Sequence, residues 1–82
     1  MRLPRDVSGD ELVRLLRGYG YQATRQTGSH VRLTSTYRGD EHHLTIPRHK
    51  NLRVGTLNSI LKDIADYLAI SKEVLTRELF GD

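Results

Sequence analysis

The sequence predicts an α+β domain of order α-β-β-β-α: a three-stranded antiparallel sheet with helices packed on one face, plus an extra C-terminal helix. Three observations predict it. A capping signature opens an apolar helical stripe near the start, the apolar period changes to two between Tyr21 and Ile46, and a long 3.6-period stripe begins at Leu57.

Ser8-Gly9-Asp10-Glu11 reads as a capping box, with Ser8 as N-cap and Glu11 at the third helical position. Val7 and Leu12 stand where a hydrophobic staple needs them. Leu12, Val13, Leu15, Leu16 and Tyr19 continue the stripe, and Gly18 or Gly20 can end it with positive φ, so the first helix is expected over roughly 9–18.

Period two then takes over. The expected buried face of the sheet carries Tyr21, Ala23, Val31, Leu33, Leu44 and Ile46, with Gly28 and Gly39 marking the turns. A turn centred on Arg38-Gly39 pairs Val31 with Ile46 and Leu33 with Leu44. A three-residue loop Gln26-Thr27-Gly28, with Gly28 left-handed, pairs Ala23 with Val31 and Tyr21 with Leu33, whereas a two-residue loop sets these pairs on opposite faces. The polar face is then Gln22, Thr24, His30, Arg32, Thr34, His43 and Thr45.

Pro47 ends the third strand and the loop Arg48–Arg53 leads to the second main helix. Leu57, Ile60, Leu61, Ile64, Ala65 and Leu68 give it one apolar stripe. Ser71 caps a short last helix whose Val74, Leu75, Leu79 and Phe80 complete the core or extend a partner surface.

At 82 residues the chain is expected to be a single domain, with a core of about 8–66 and a helical extension of about 67–82. It has no cysteine, which excludes disulfides, thiolate metal sites and a Cys nucleophile. No apolar run nears the roughly 20 residues that span a bilayer, and no signal-like stretch follows Met1-Arg2-Leu3-Pro4. The expectation is a soluble, cytoplasmic protein without membrane contact.

Net charge is +3, but it is unevenly spread. Residues 22–53 hold Arg25, Arg32, Arg38, Arg48, Lys50 and Arg53 against only Asp40 and Glu41, and all four histidines lie there too. Such a segment suits a polyanion, because neutralised phosphates release counterions; an ordinary solvated face is the competing reading.

His30 starts the central strand after a glycine turn and points away from the core. The register places it opposite Pro47, with Arg48 and His49 following alongside, Arg32 two residues on, and His43 further along the third strand. An imidazole among cations is a candidate acid or base for phosphodiester chemistry. RNA supplies its own nucleophile, the 2′-hydroxyl, and Arg32, Arg48 or Lys50 could stabilise the transition-state charge, so no metal or cofactor is required. Arg25, His43 and Arg53 complete the expected RNA-binding set. A zinc site is not expected: consecutive His42 and His43 point to opposite faces, and no acid is positioned as a third ligand. Tyr37 could stack on a base.

Arg25-Gln26-Thr27-Gly28-Ser29-His30, following a short helix and Gly20-Tyr21, resembles the RQxGSH segment of the HicA (YcfA-like) toxins. Thr45-Ile46-Pro47-Arg48-His49-Lys50-Asn51-Leu52 through Gly55-Thr56-Leu57-Asn58-Ser59-Ile60-Leu61 resembles their later VPxHxxxL…GTLxxIL segment. The resemblance covers roughly residues 8–64. It implies a double-stranded-RNA-binding-domain-like fold and the toxin of a type II toxin–antitoxin system. It further implies a ribosome-independent endoribonuclease that cleaves mRNA with the strand histidine, here His30, while Gly28 and Ser29 shape its turn. It also implies a HicB antitoxin that covers the site, commonly in a hetero-oligomer. Many members carry an aromatic residue or a second His directly after the motif His, where this chain has Val31, and the tail from about Ala65 exceeds the compact family core. The family motif does not supply the acid–base partner of His30; strand register suggests His49. A non-catalytic RNA-binding module and an adaptor remain the alternatives, although a double-stranded-RNA binder would carry a lysine cluster where this chain has Arg53-Val54-Gly55-Thr56.

Overall fold

The computed structural model describes residues 3, 4 and 6–81; Met1, Arg2, Arg5 and Asp82, which entered the charge count and the search for a signal segment, lie outside them. The element order is α1 (Gly9–Leu15), a 3₁₀ turn (Leu16–Tyr19), β1 (Gln22–Thr27), β2 (His30–Ser35), β3 (His42–Pro47), α2 (Val54–Leu68) and α3 (Lys72–Phe80). The strands form one antiparallel sheet in the order β1-β2-β3, so the strand that begins at His30 is central. The expected α+β arrangement is the one observed.

The Ser8 side chain accepts from the Glu11 backbone N–H at 3.0 Å, which satisfies one of the orphan donors of α1. The first helix stops earlier than its apolar stripe. Regular α-helix ends at Leu15, the chain tightens into the 3₁₀ turn, and Gly20 closes it at φ +79°. Gly9 explains how closely α1 sits to the end of β3. A Cβ there would lie 2.0 Å from the Pro47 carbonyl oxygen, and the Gly9 N–H donates to the His49 carbonyl at 3.0 Å.

All six expected α2 positions, Leu57 to Leu68, are buried against the sheet. Each fully buried Leu or Ile contributes about 1.5–3 kcal/mol relative to exposure, so this stripe is the main clamp of the fold. The Ser71 side chain caps α3 by accepting from the Val74 N–H, and Leu75 and Leu79 enter the same core cluster. The last helix therefore completes the core, with Phe80 packed at its margin.

The β2–β3 register is the expected one, with Val31 opposite Ile46, Leu33 opposite Leu44 and His30 opposite Pro47. The β1–β2 register is not. The loop has two residues, Gly28-Ser29, which closes Thr27 against His30 and pairs Gln26 with Val31. Gly28 is left-handed at φ +55°, but as the first loop residue, where a tight hairpin favours glycine. The conflict of faces that a two-residue loop creates is absorbed by a β-bulge between Ala23 and Arg25, with Thr24 as the extra residue, so that Ala23 pairs with Leu33. Tyr21 is fully buried as expected, while Ala23 is exposed, as are all six residues of β1.

Candidate functional site

The bulge decides the composition of the open face. It changes the side-chain parity between Ala23 and Arg25, so Ala23 faces the helices while Arg25 sits across from Arg32. Thr27, Arg25, Arg32, Thr45 and His30 line one shallow concavity of about 180 Å³. A second, larger one of about 430 Å³ continues from it, lined by Thr24, Arg25, Arg32, Thr34, Glu41 and His43. The two arginines border both. Among the described residues no carboxylate lies within ion-pair distance of either, so two like charges face each other without a direct partner.

His30 is exposed at the start of β2, with Thr27 on one side and Pro47 on the other. The turn beside it is held by the Arg48 N–H, which donates to the Ser29 carbonyl at 2.6 Å. A Cβ on Gly28 would meet nothing within 4 Å, so the glycine serves its backbone angle and not a close approach.

The remaining expected site residues divide. His43 lies on the open face, its Nδ1 2.9 Å from the Thr34 hydroxyl and its Nε2 3.4 Å from a Glu41 carboxylate oxygen. Arg48 is turned to the helix side. Its Nε and Nη2 donate to the two carboxylate oxygens of Asp10 at 2.8 and 3.2 Å. This fork holds the Asp10 carboxyl below its ordinary range and raises the Arg48 guanidinium above its own. Parity could have signalled this, because Arg48 follows Ile46 on the buried side by two residues. His49 is exposed and borders neither concavity; its backbone carbonyl anchors α1. Lys50 and Arg53 are exposed in the loop before α2.

Glu41 was not singled out by sequence reasoning, which placed Thr24 and Thr45 on the polar face but gave them no role; Thr45 lies opposite Arg32 in the expected register, and the bulge sets Thr24 beside Arg25. His42 points the other way from His43, into a chain of its own. Its Nδ1 is 2.6 Å from the Tyr21 hydroxyl, its Nε2 3.2 Å from Asp63, and its ring stacks on Tyr67 at 4.6 Å. No three His, Asp or Glu side chains converge as a metal-binding group among the described residues.

A family model described as HicA toxin of bacterial toxin–antitoxin matches residues 9–65, well over half of the chain. The chain belongs to the HicA toxin family. Neither the curated proteins nor the solved structures compared with it gave a match. The HicA match runs from the start of α1 into α2, includes Gly28-Ser29-His30 and both concavities, and ends before α3. Membership implies an antitoxin partner in a toxin–antitoxin system. No described helix is long and apolar enough to cross a membrane.

Proposed function

We propose that this HicA-family protein is an endoribonuclease toxin that cleaves mRNA without the ribosome and without a metal, using His30 as its acid–base residue. The observation that carries the reading is the exposed His30 imidazole in one concavity with Arg25 and Arg32, two cations with no carboxylate in ion-pair distance among the described residues. A phosphodiester seated between the guanidinium groups supplies the counter-charge. His30 takes the proton of the adjacent 2′-hydroxyl, the 2′-oxygen bonds to phosphorus, and the bond to the 5′-oxygen breaks. The arginines stabilise the additional negative charge on the phosphoryl oxygens as it develops. Gly28 and Ser29 fix the turn that presents His30.

The leaving 5′-oxygen needs a proton, and His49 on the loop after Pro47 is the proposed donor; His49→Ala then alters the alkaline limb of the pH–rate profile, and an unchanged bell excludes it as the acid. Lys50 and Arg53 extend the cationic path for the strand, and His43 marks its other end. A HicB-type antitoxin covering the His30 face, in a hetero-oligomer, is the partner that would silence it, and the cytoplasm is where mRNA is met.

Induction of wild type and His30→Ala in cells, with growth and mRNA decay followed, tests the reading. Growth arrest and mRNA loss with wild type alone are expected. Equal toxicity of the two would sink the catalytic role of His30, and no toxicity from either would favour a non-catalytic RNA-binding or adaptor module.

A further inference from the structure

The larger concavity has a chemistry that phosphate binding does not use. Glu41 borders it, and a carboxylate repels phosphate. Two hydrogen bonds, Thr24 to Thr34 and Thr34 to His43, and a close approach of His43 to Glu41 run along its wall. His43 Nε2 stands 3.4 Å from a Glu41 carboxylate oxygen, and its Nδ1 is 2.9 Å from the Thr34 hydroxyl. The Thr24 hydroxyl, 3.0 Å from that of Thr34, donates its proton to the Arg32 carbonyl at 3.4 Å. The far end of the trough carries the Glu41 carboxylate, which accepts no hydrogen bond among the described residues, while the near end is the donor-only Arg25–Arg32 pair.

Distance separates this end from the cleavage step. Thr34, the cross-strand partner of His43, is four residues along β2 from His30, about 13 Å at 3.3 Å per residue. His43 is thus too far along the strand to serve the phosphate at His30, and it lies within reach of a neighbouring nucleotide.

We infer that Glu41, beside His43 and facing Arg25 and Arg32 across the concavity, forms a subsite that selects guanine in single-stranded RNA. Guanine presents two adjacent donors, N1–H and the N2 amino group, which suit one carboxylate. Its O6 and N7 are adjacent acceptors, which suit one guanidinium. No other base carries both pairs. Adenine and cytosine offer the carboxylate one amino group, and uracil one imino N–H. The inference rests on the proposed RNA-directed function, but it concerns selection and not cleavage.

The test uses the full-length protein carrying His30→Ala, so that bound RNA stays intact, and fluorescein-labelled hexauridylates with one central U kept or replaced by guanine, adenine or cytosine. Anisotropy titrations should show the guanine probe bound about tenfold more tightly than the others, the discrimination of one good bidentate base contact. Adding Glu41→Gln, an exposed position that keeps one acceptor and gains a donor, should collapse that ratio towards one. Equal affinity for the four probes, a guanine preference that survives Glu41→Gln, or no binding of any probe would each overturn the inference. Cleavage by the wild-type protein is scored separately. A guanine preference without cleavage would refute the nuclease reading alone, and cleavage without the preference would refute the subsite alone.

Discussion

Arg25 faces Arg32 across the β1–β2 ladder, and no carboxylate among the described residues lies within ion-pair distance of either. Like charges directly opposite each other on a sheet oppose folding, so the pair is kept at a cost to stability. Arg25→Ala and Arg32→Ala should each leave stability unchanged or slightly raised in thermal melts. Each should also weaken RNA binding and reduce the slope of log affinity against log salt by about 0.7, the value for one single-strand phosphate. Arg48→Ala should change that slope by less, because Asp10 already holds its guanidinium. Equal slope changes for the three variants would refute the assignment.

Gly9 yields a prediction about the link between α1 and the site. Alanine there places its Cβ against the Pro47 carbonyl, which is backbone and cannot swing aside, so either α1 or the end of β3 must move. Gly9→Ala should cost about 3 kcal/mol, the upper range for overpacking, in chemical denaturation. Pro47 faces His30 and Arg48 N–H holds the Ser29 carbonyl, so the same change should lower any cleavage rate more than Gly18→Ala, whose added Cβ meets nothing.

Much of this was legible from residue order. The Leu57–Leu68 stripe, the Ser8 and Ser71 caps and the β2–β3 register follow from periodicities of 3.6 and 2 that the core enforces. The outward direction of His30 follows from the same alternation. What resisted was β1, where all six residues are exposed and no apolar alternation pins the register. There the turn chemistry of Gly28-Ser29 and the Thr24 bulge decide, and a bulge leaves no mark in an edge strand of polar residues. Arg25, Glu41 and Thr24 meet only because of that bulge, and Arg48 was drawn away by an Asp10 38 positions earlier in the chain.

The Asp10–Arg48 fork predicts an acid response. Arg48 holds the folded-state pKa of Asp10 below its ordinary value of 3.8, so the pair's contribution is fully present above that value. It is lost as pH falls further, through the folded-state pKa, because the unfolded chain takes up the proton first. Wild type should lose stability on acidification below about pH 4 more steeply than Asp10→Asn, read as denaturation midpoints over pH 2–6. Parallel profiles would show that the fork contributes nothing to the folded state.

Tyr21 predicts the alkaline response. Its side chain is fully buried, its hydroxyl donates to His42 Nδ1, and His42 in turn donates from Nε2 to Asp63 on α2. Tyr21→Phe leaves that imidazole nitrogen without its donor and should cost about 1–2 kcal/mol near neutral pH. Burial, with smaller contributions from Tyr67 and Asp63, pushes the phenol well above its ordinary value of 10.0. The unfolded chain therefore releases this proton first. Stability from the neutral phenol is complete below about pH 10 and declines as pH rises beyond it towards the folded-state value. Denaturation midpoints should fall between pH 10 and 11.5 in wild type and fall less in Tyr21→Phe, so that the two proteins converge in stability at high pH. A gap that stays constant across this range would mean that the phenol ionises as readily folded as unfolded, and that the Tyr21–His42–Asp63 chain does not hold its proton.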